Sequence, residues 1–63
     1  MNKRYAVSSV GKLFKKSLEM FADQLVDEKG NEITADEMNV NDKAYALFWN
    51  GANTSRTSVT RIE

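Results

Sequence analysis

The chain has no cysteine and no histidine, no long apolar run, and no excess of charge of either sign. Each absence removes a class of function. Without cysteine there is no disulfide to brace a small core, and without Cys or His ligands there is no zinc centre of the ordinary type. The same two absences exclude Ser-His-Asp and Cys-His catalysis. They also leave no side chain whose unperturbed form titrates near neutrality. We therefore read the chain as a non-enzyme with no cofactor and no metal. No apolar stretch approaches the ~20 residues of a membrane span, and Met1-Asn2-Lys3-Arg4-Tyr5 does not lead into the apolar segment of a signal peptide. A cytoplasmic location is expected, and Asn53-Thr54-Ser55 is then a chance match to a glycosylation sequon.

At 63 residues the chain is expected to be a single small domain, residues 1–63, with no repeat, low-complexity tract or linker. A domain of this size buries only about 60% of the surface its unfolded chain exposes. Small scaffolds compensate with disulfides, metals or oligomerisation. With the first two excluded, a homodimer or a bound partner is expected.

The zero net charge conceals a segregation along the chain. Residues 1–18 carry Lys3, Arg4, Lys12, Lys15 and Lys16 and no acid, a charge of +5. Residues 19–42 hold eight carboxylates against Lys29, a charge of −7, and residues 43–63 return to +2. Such a pattern either orients a partner through opposed surface potentials or collapses into internal ion pairs on folding.

Periodicity suggests an α+β fold. From Arg4 to Val10 apolar and small residues alternate, as in a strand, until Gly11. From Lys12 to Val26 the period changes: Leu13, Phe14, Leu18, Phe21 and Leu25 recur at helical spacing, which predicts one amphipathic helix. Its charges run the wrong way for the helix dipole, with lysines at the start and acids at the end. Residues 27–32 form a polar turn, which we read as a helix cap in preference to the tip of a hairpin joining Leu25-Val26 to Ile33. Thr34-Ala35-Asp36-Glu37 has the form of a capping box and predicts a helical turn through Met38.

Residues 43–50 fit either a strand or the continuation of a helix. The aromatic density and the loop chemistry of residues 50–55 favour a hairpin with residues 56–62. The expected architecture is thus one amphipathic helix packed on a small three-stranded antiparallel sheet, β-α-β-β, with β-α-α-β as the alternative. The expected core comprises Val7, Leu13, Phe14, Leu18, Phe21, Leu25, Ile33, Leu47, Trp49 and Val59. The opposite sheet face, with Ala46 and Phe48, is expected to be open to a second protomer or a target, and residues 50–60 to form a free edge for dimerisation.

Two functional readings follow. The first is a small protein-binding module acting stoichiometrically on a larger protein, in the manner of phage or mobile-element inhibitors of host machinery. Tyr45 and Phe48 would be its apolar anchors, with Arg56 and Arg61 as polar partners. The alternative is a nucleic-acid-binding regulator that uses Lys3, Arg4, Lys12, Lys15 and Lys16. The acidic middle is weaker as a signal: nucleic-acid mimics are strongly acidic overall, and Gly30 does not align with the carboxylates of a calcium loop.

Overall fold

The structure, a computed structural model, describes residues 3–63. Five strands dominate it: β1 (Arg4–Val7), β2 (Gly11–Phe14), β3 (Gln24–Val26), β4 (Lys43–Asn50) and β5 (Asn53–Arg61). One short helix, α1 (Lys15–Phe21), links β2 to β3, and a single 3-10 turn spans Ala35–Glu37. The strands form one antiparallel sheet in the order β2-β1-β5-β4-β3. This overturns both the three-stranded β-α-β-β expectation and its β-α-α-β alternative. Among the described residues no helix is long and apolar enough to cross a membrane.

The long helix expected from Lys12 to Val26 is divided between β2, α1 and β3, and its ends explain why. Phe14 occupies the N-cap position without a side-chain hydrogen bond, no acid lies in the first turn and no base in the last. An uncapped start and charges set against the dipole weaken a helix at its ends. Gly11, at φ +96°, turns the chain back so that Lys12-Leu13-Phe14 pairs with β1, from Ala6↔Lys12 to Arg4↔Phe14. At the far end Ala22 is already extended, and Leu25 and Val26 pair with Ala46 and Tyr45. Only Leu18 of α1 is fully buried, a contribution of about 1.5–3 kcal/mol.

Residues 27–31 also differ from the expected helix cap. Gly30, at φ +87°, donates to Asp27 O, and the Asp27 carboxylate accepts the N–H groups of Lys29 and Asn31 at 2.9 Å. Val26 then bridges to Glu32, and Ile33 N–H donates to Leu25 O. The segment is therefore the hairpin tip that the sequence reading set aside. Thr34 makes no side-chain cap, and the helical turn it begins lasts only three residues.

The C-terminal hairpin does form, and residues 43–50 are strand. Its loop contracts to Gly51 and Ala52, with Gly51 at φ +66°. A two-residue loop with a positive φ at its first central position alone fits the twist of the flanking strands and favours glycine there. The alternation is as expected, but the faces are reversed. Ala44 and Ala46 point into the core with Tyr5, Val7, Leu18, Leu25, Ala35, Met38 and Val59. Phe48 lies on that same side against Phe21, ring centroids 5.1 Å apart. Tyr45, Leu47 and Trp49 point the other way, and Trp49 and Phe14, both expected in the core, are 59% and 44% exposed.

The core is capped on one side only. Residues 35–38 and α1 cover the inner face of the sheet. Tyr5, fully buried, donates its hydroxyl to Ala35 O at 2.8 Å, and Arg61 donates to Met38 O at 2.6 Å. Asp36 accepts from both Lys3 and Lys15 (2.6 Å to Lys15), so one carboxylate ties the residue before β1 and the start of α1 to the 3-10 turn.

Candidate functional site

Because side chains alternate across a strand, the register determines which residues share the uncovered face. Phe14 stands opposite Arg4; Lys12, Ala6, Thr60 and Lys43 form the next row. Beyond them come Ser58, Tyr45 and Val26, then Arg56, Leu47 and Gln24, and last Thr54 and Trp49. The small residues of this face are Ala6 of β1, Ser8 in the turn after it, and Ser58 and Thr60 of β5, with Arg4 and Arg56 on the same two strands. The hydroxyls of Ser8 and Ser58 are hydrogen-bonded to each other. Larger side chains rise on either side, with Phe14 and Lys12 on β2 and Tyr45, Leu47 and Trp49 on β4. In the row shared by Lys12, Ala6, Thr60 and Lys43, β2 and β4 stand three strand spacings apart, about 14 Å; Leu47 and Trp49 lie past the end of β1, where β2 has no residue opposite them.

Two aromatic rings on this face are capped by arginines. The Arg4 guanidinium lies 4.7 Å from the Phe14 ring centroid, and the Arg56 guanidinium 4.8 Å from that of Tyr45. A guanidinium stacked on a ring keeps its N–H donors directed outward. Among the described residues, Lys12, Lys43 and Arg56 have no ion-pair partner, and Arg4 only reaches Glu63 at 4.0 Å. Acids approach this face at its margins, and the Asp23 carboxylate accepts the Trp49 N–H at 2.7 Å. Glu32 lies beside Val26, and Asp27, Glu28 and Asp42 line an open recess together with Lys43.

The sequence-derived sites are therefore redistributed. Of the partner-binding set, Tyr45 and Arg56 lie together on the open face. Phe48 is turned inward onto Phe21, and Arg61 is committed to Met38 O and Glu63 O. Of the basic set, Arg4 and Lys12 lie on the open face. Lys3 and Lys15 are held by Asp36 on the covered side, and Lys16 is exposed on α1. The fold thus brings two of the four partner-binding residues and two of the five basic ones onto one surface, and adds Lys43 together with Phe14 and Trp49, both of which the sequence reading placed in the core. A signal for Trp49 existed: Ala44 and Ala46 are the small residues of β4, and small residues mark the side against which other elements pack closely.

The edge assigned to dimerisation also changes. β5 is central, paired with β4 along its length and with β1 at Val59, Thr60 and Arg61. Only its first half extends past β1.

The hydrogen bonds from Lys15 and then Lys3 hold the Asp36 carboxyl at about 2, and the same contact raises the Lys15 amine. Backbone N–H donation from Asn31 and Lys29 lowers the Asp27 carboxyl. The Asp36 pairing lies on the covered side, whereas Asp27 shares the recess with Lys43 at the margin of the open face. A cleft between α1, β3 and residues 32–35 has an apolar floor of Leu18, Ala22, Leu25 and Ile33 and encloses about 220 Å³, below the ~300 Å³ at which small-molecule sites begin. Among the described residues no three Asp or Glu side chains converge as a metal site requires.

Compared with known proteins, the chain matches no family model, no curated protein and no solved structure.

Proposed function

We propose that this chain is a non-catalytic nucleic-acid-binding module whose working surface is the open face of the sheet. The observation that carries the reading is the meeting of Arg4, Lys12, Lys43 and Arg56 with Phe14, Tyr45 and Trp49 on one uncovered surface, with carboxylates only at its rim. Basic side chains bind phosphates irrespective of sequence by releasing condensed counterions, and exposed rings receive bases. The neutral total charge does not oppose this, because the field at the face is local and the nearest acids, Asp23 at Trp49 and Asp27, Glu28 and Asp42 at Lys43, lie along its margins.

The test is fluorescence anisotropy with a labelled oligonucleotide. With three or four phosphates neutralised, affinity for a single strand is expected to fall on the order of 20- to 50-fold between about 50 and 200 mM salt. The double charge reversal Lys12→Glu with Arg56→Glu is expected to remove binding, whereas Lys16→Glu leaves it largely intact. Absence of binding at low salt, or loss of binding through Lys16 alone, contradicts the reading.

A second reading, stoichiometric binding of a protein partner, is favoured by the same surface, since Trp, Tyr and Arg are the residue types that dominate interface hot spots. Stoichiometric, nuclease-resistant capture of one protein that is lost with Trp49→Ala would replace the first reading with this one. Homodimerisation remains part of the proposal, with residues 53–57 of β5 as the unpaired edge. Sedimentation equilibrium decides it.

A further inference from the structure

Resting on the nucleic-acid reading, we infer that the ligand of the open face is a single strand, laid over that face with its bases stacked on Trp49 and on the two arginine-capped rings. Three observations carry this. Phe14 and Trp49 stand clear of the core, 44% and 59% exposed, with Trp49 at the end of β4. A duplex keeps its bases stacked inside and offers phosphates, for which exposed rings are of no use; an unpaired strand offers π-faces that stack on indole rings and on guanidinium planes. The Arg4–Phe14 and Arg56–Tyr45 stacks, at 4.7 and 4.8 Å, each present such a plane with free donors at its rim.

Between the two arginine-capped rings the side chains are short. Ala6, Ser8, Ser58 and Thr60 leave room for a sugar-phosphate backbone, and hydroxyls and main chain are ordinary phosphate and sugar contacts. Lys12 and Lys43 stand at opposite ends of one cross-strand row that includes Ala6 and Thr60, so a backbone crossing the strands there passes between two ammonium groups. The charge and the rings are thus complementary to the two chemical halves of an unpaired strand.

The chain contains a single tryptophan, and it is the residue in question, so its emission reports stacking directly. The experiment titrates the full chain at about 50 mM salt with an oligothymidylate of about 12 nucleotides, within the range a single sheet platform accommodates, and separately with a duplex of the same length. The single strand is expected to quench Trp49 and to bind at least tenfold more tightly than the duplex. With a labelled strand, Trp49→Ala is expected to lose about tenfold in affinity and Trp49→Phe to retain most of it. Equal affinity for the two forms with unchanged Trp49 emission overturns the single-strand inference and leaves a phosphate-binding surface in place. No binding of either form at that salt overturns both, and directs the face to a protein.

Discussion

At the scale of single residues, Tyr5 shows how a polar atom is built into a small core. Its ring is fully buried and its hydroxyl is satisfied by Ala35 O, and burial raises the phenol above its ordinary 10.0. Tyr5→Phe leaves that carbonyl with only the longer 3.3 Å contact from Met38 N–H. A loss of about 1 kcal/mol is expected in urea denaturation, with the sheet intact by circular dichroism; no loss would show that the bond merely accompanies the packing. Asn41, at φ +76°, makes a related point. It occupies a left-handed position that asparagine tolerates better than most side chains, and its N–H reaches Arg61 O at 2.7 Å.

At the scale of elements, strand alternation was legible and packing partners were not. The periodicity of β4 and β5 was readable because each face repeats every two residues over eight or nine residues. Which face turned inward was not, since Tyr45-Leu47-Trp49 is the more apolar set and simple burial favours it. The structure turns Ala44 and Ala46 inward because Leu18, Ala35 and Met38 fill the space beside them. The helical spacing of Leu13, Leu18 and Leu25 misled for a related reason: all three do reach the core, but from three different elements. The reversed charges along residues 12–26 were the readable warning. The functional face was half legible: Tyr45, Arg56, Arg4 and Lys12 were singled out, while their meeting depends on a β1–β5 pairing between residues more than fifty positions apart.

Asp36 belongs to this scale because it joins three elements. Its carboxyl is lowered from 3.8 to about 2, so its contribution to stability is fully present above about pH 4 and is lost as pH falls through about 2. Asp36→Asn is expected to flatten the stability-pH curve of thermal unfolding in that window and leave its shape near neutrality unchanged. A steep acid limb of the same size in the variant would assign the acid sensitivity to other carboxylates, Asp27 among them.

At the scale of the whole molecule, the protein is a single sheet with a cover on one side, 37 × 22 × 16 Å in extent. The charge segregation seen along the chain is partly neutralised on folding, where Asp36 gathers Lys3 and Lys15. Arg4, Lys12, Lys43 and Arg56, supplied by four different strands, meet on the uncovered face. A neutral chain thereby acquires a basic, aromatic surface that its total charge does not announce.

The central claim is that this surface, and not the basic N-terminal segment as a whole, meets the ligand. NMR titration of the isotope-labelled chain with a single-stranded oligonucleotide, following methyl groups, tests it most directly. The account predicts shifts at Ala6, Leu47, Thr54 and Thr60, on the open face, with Leu18, Ala35 and Val59 on the covered side little changed. Perturbations centred on the covered side, around Ala35 and Leu18 beside Lys3 and Lys15, would contradict it.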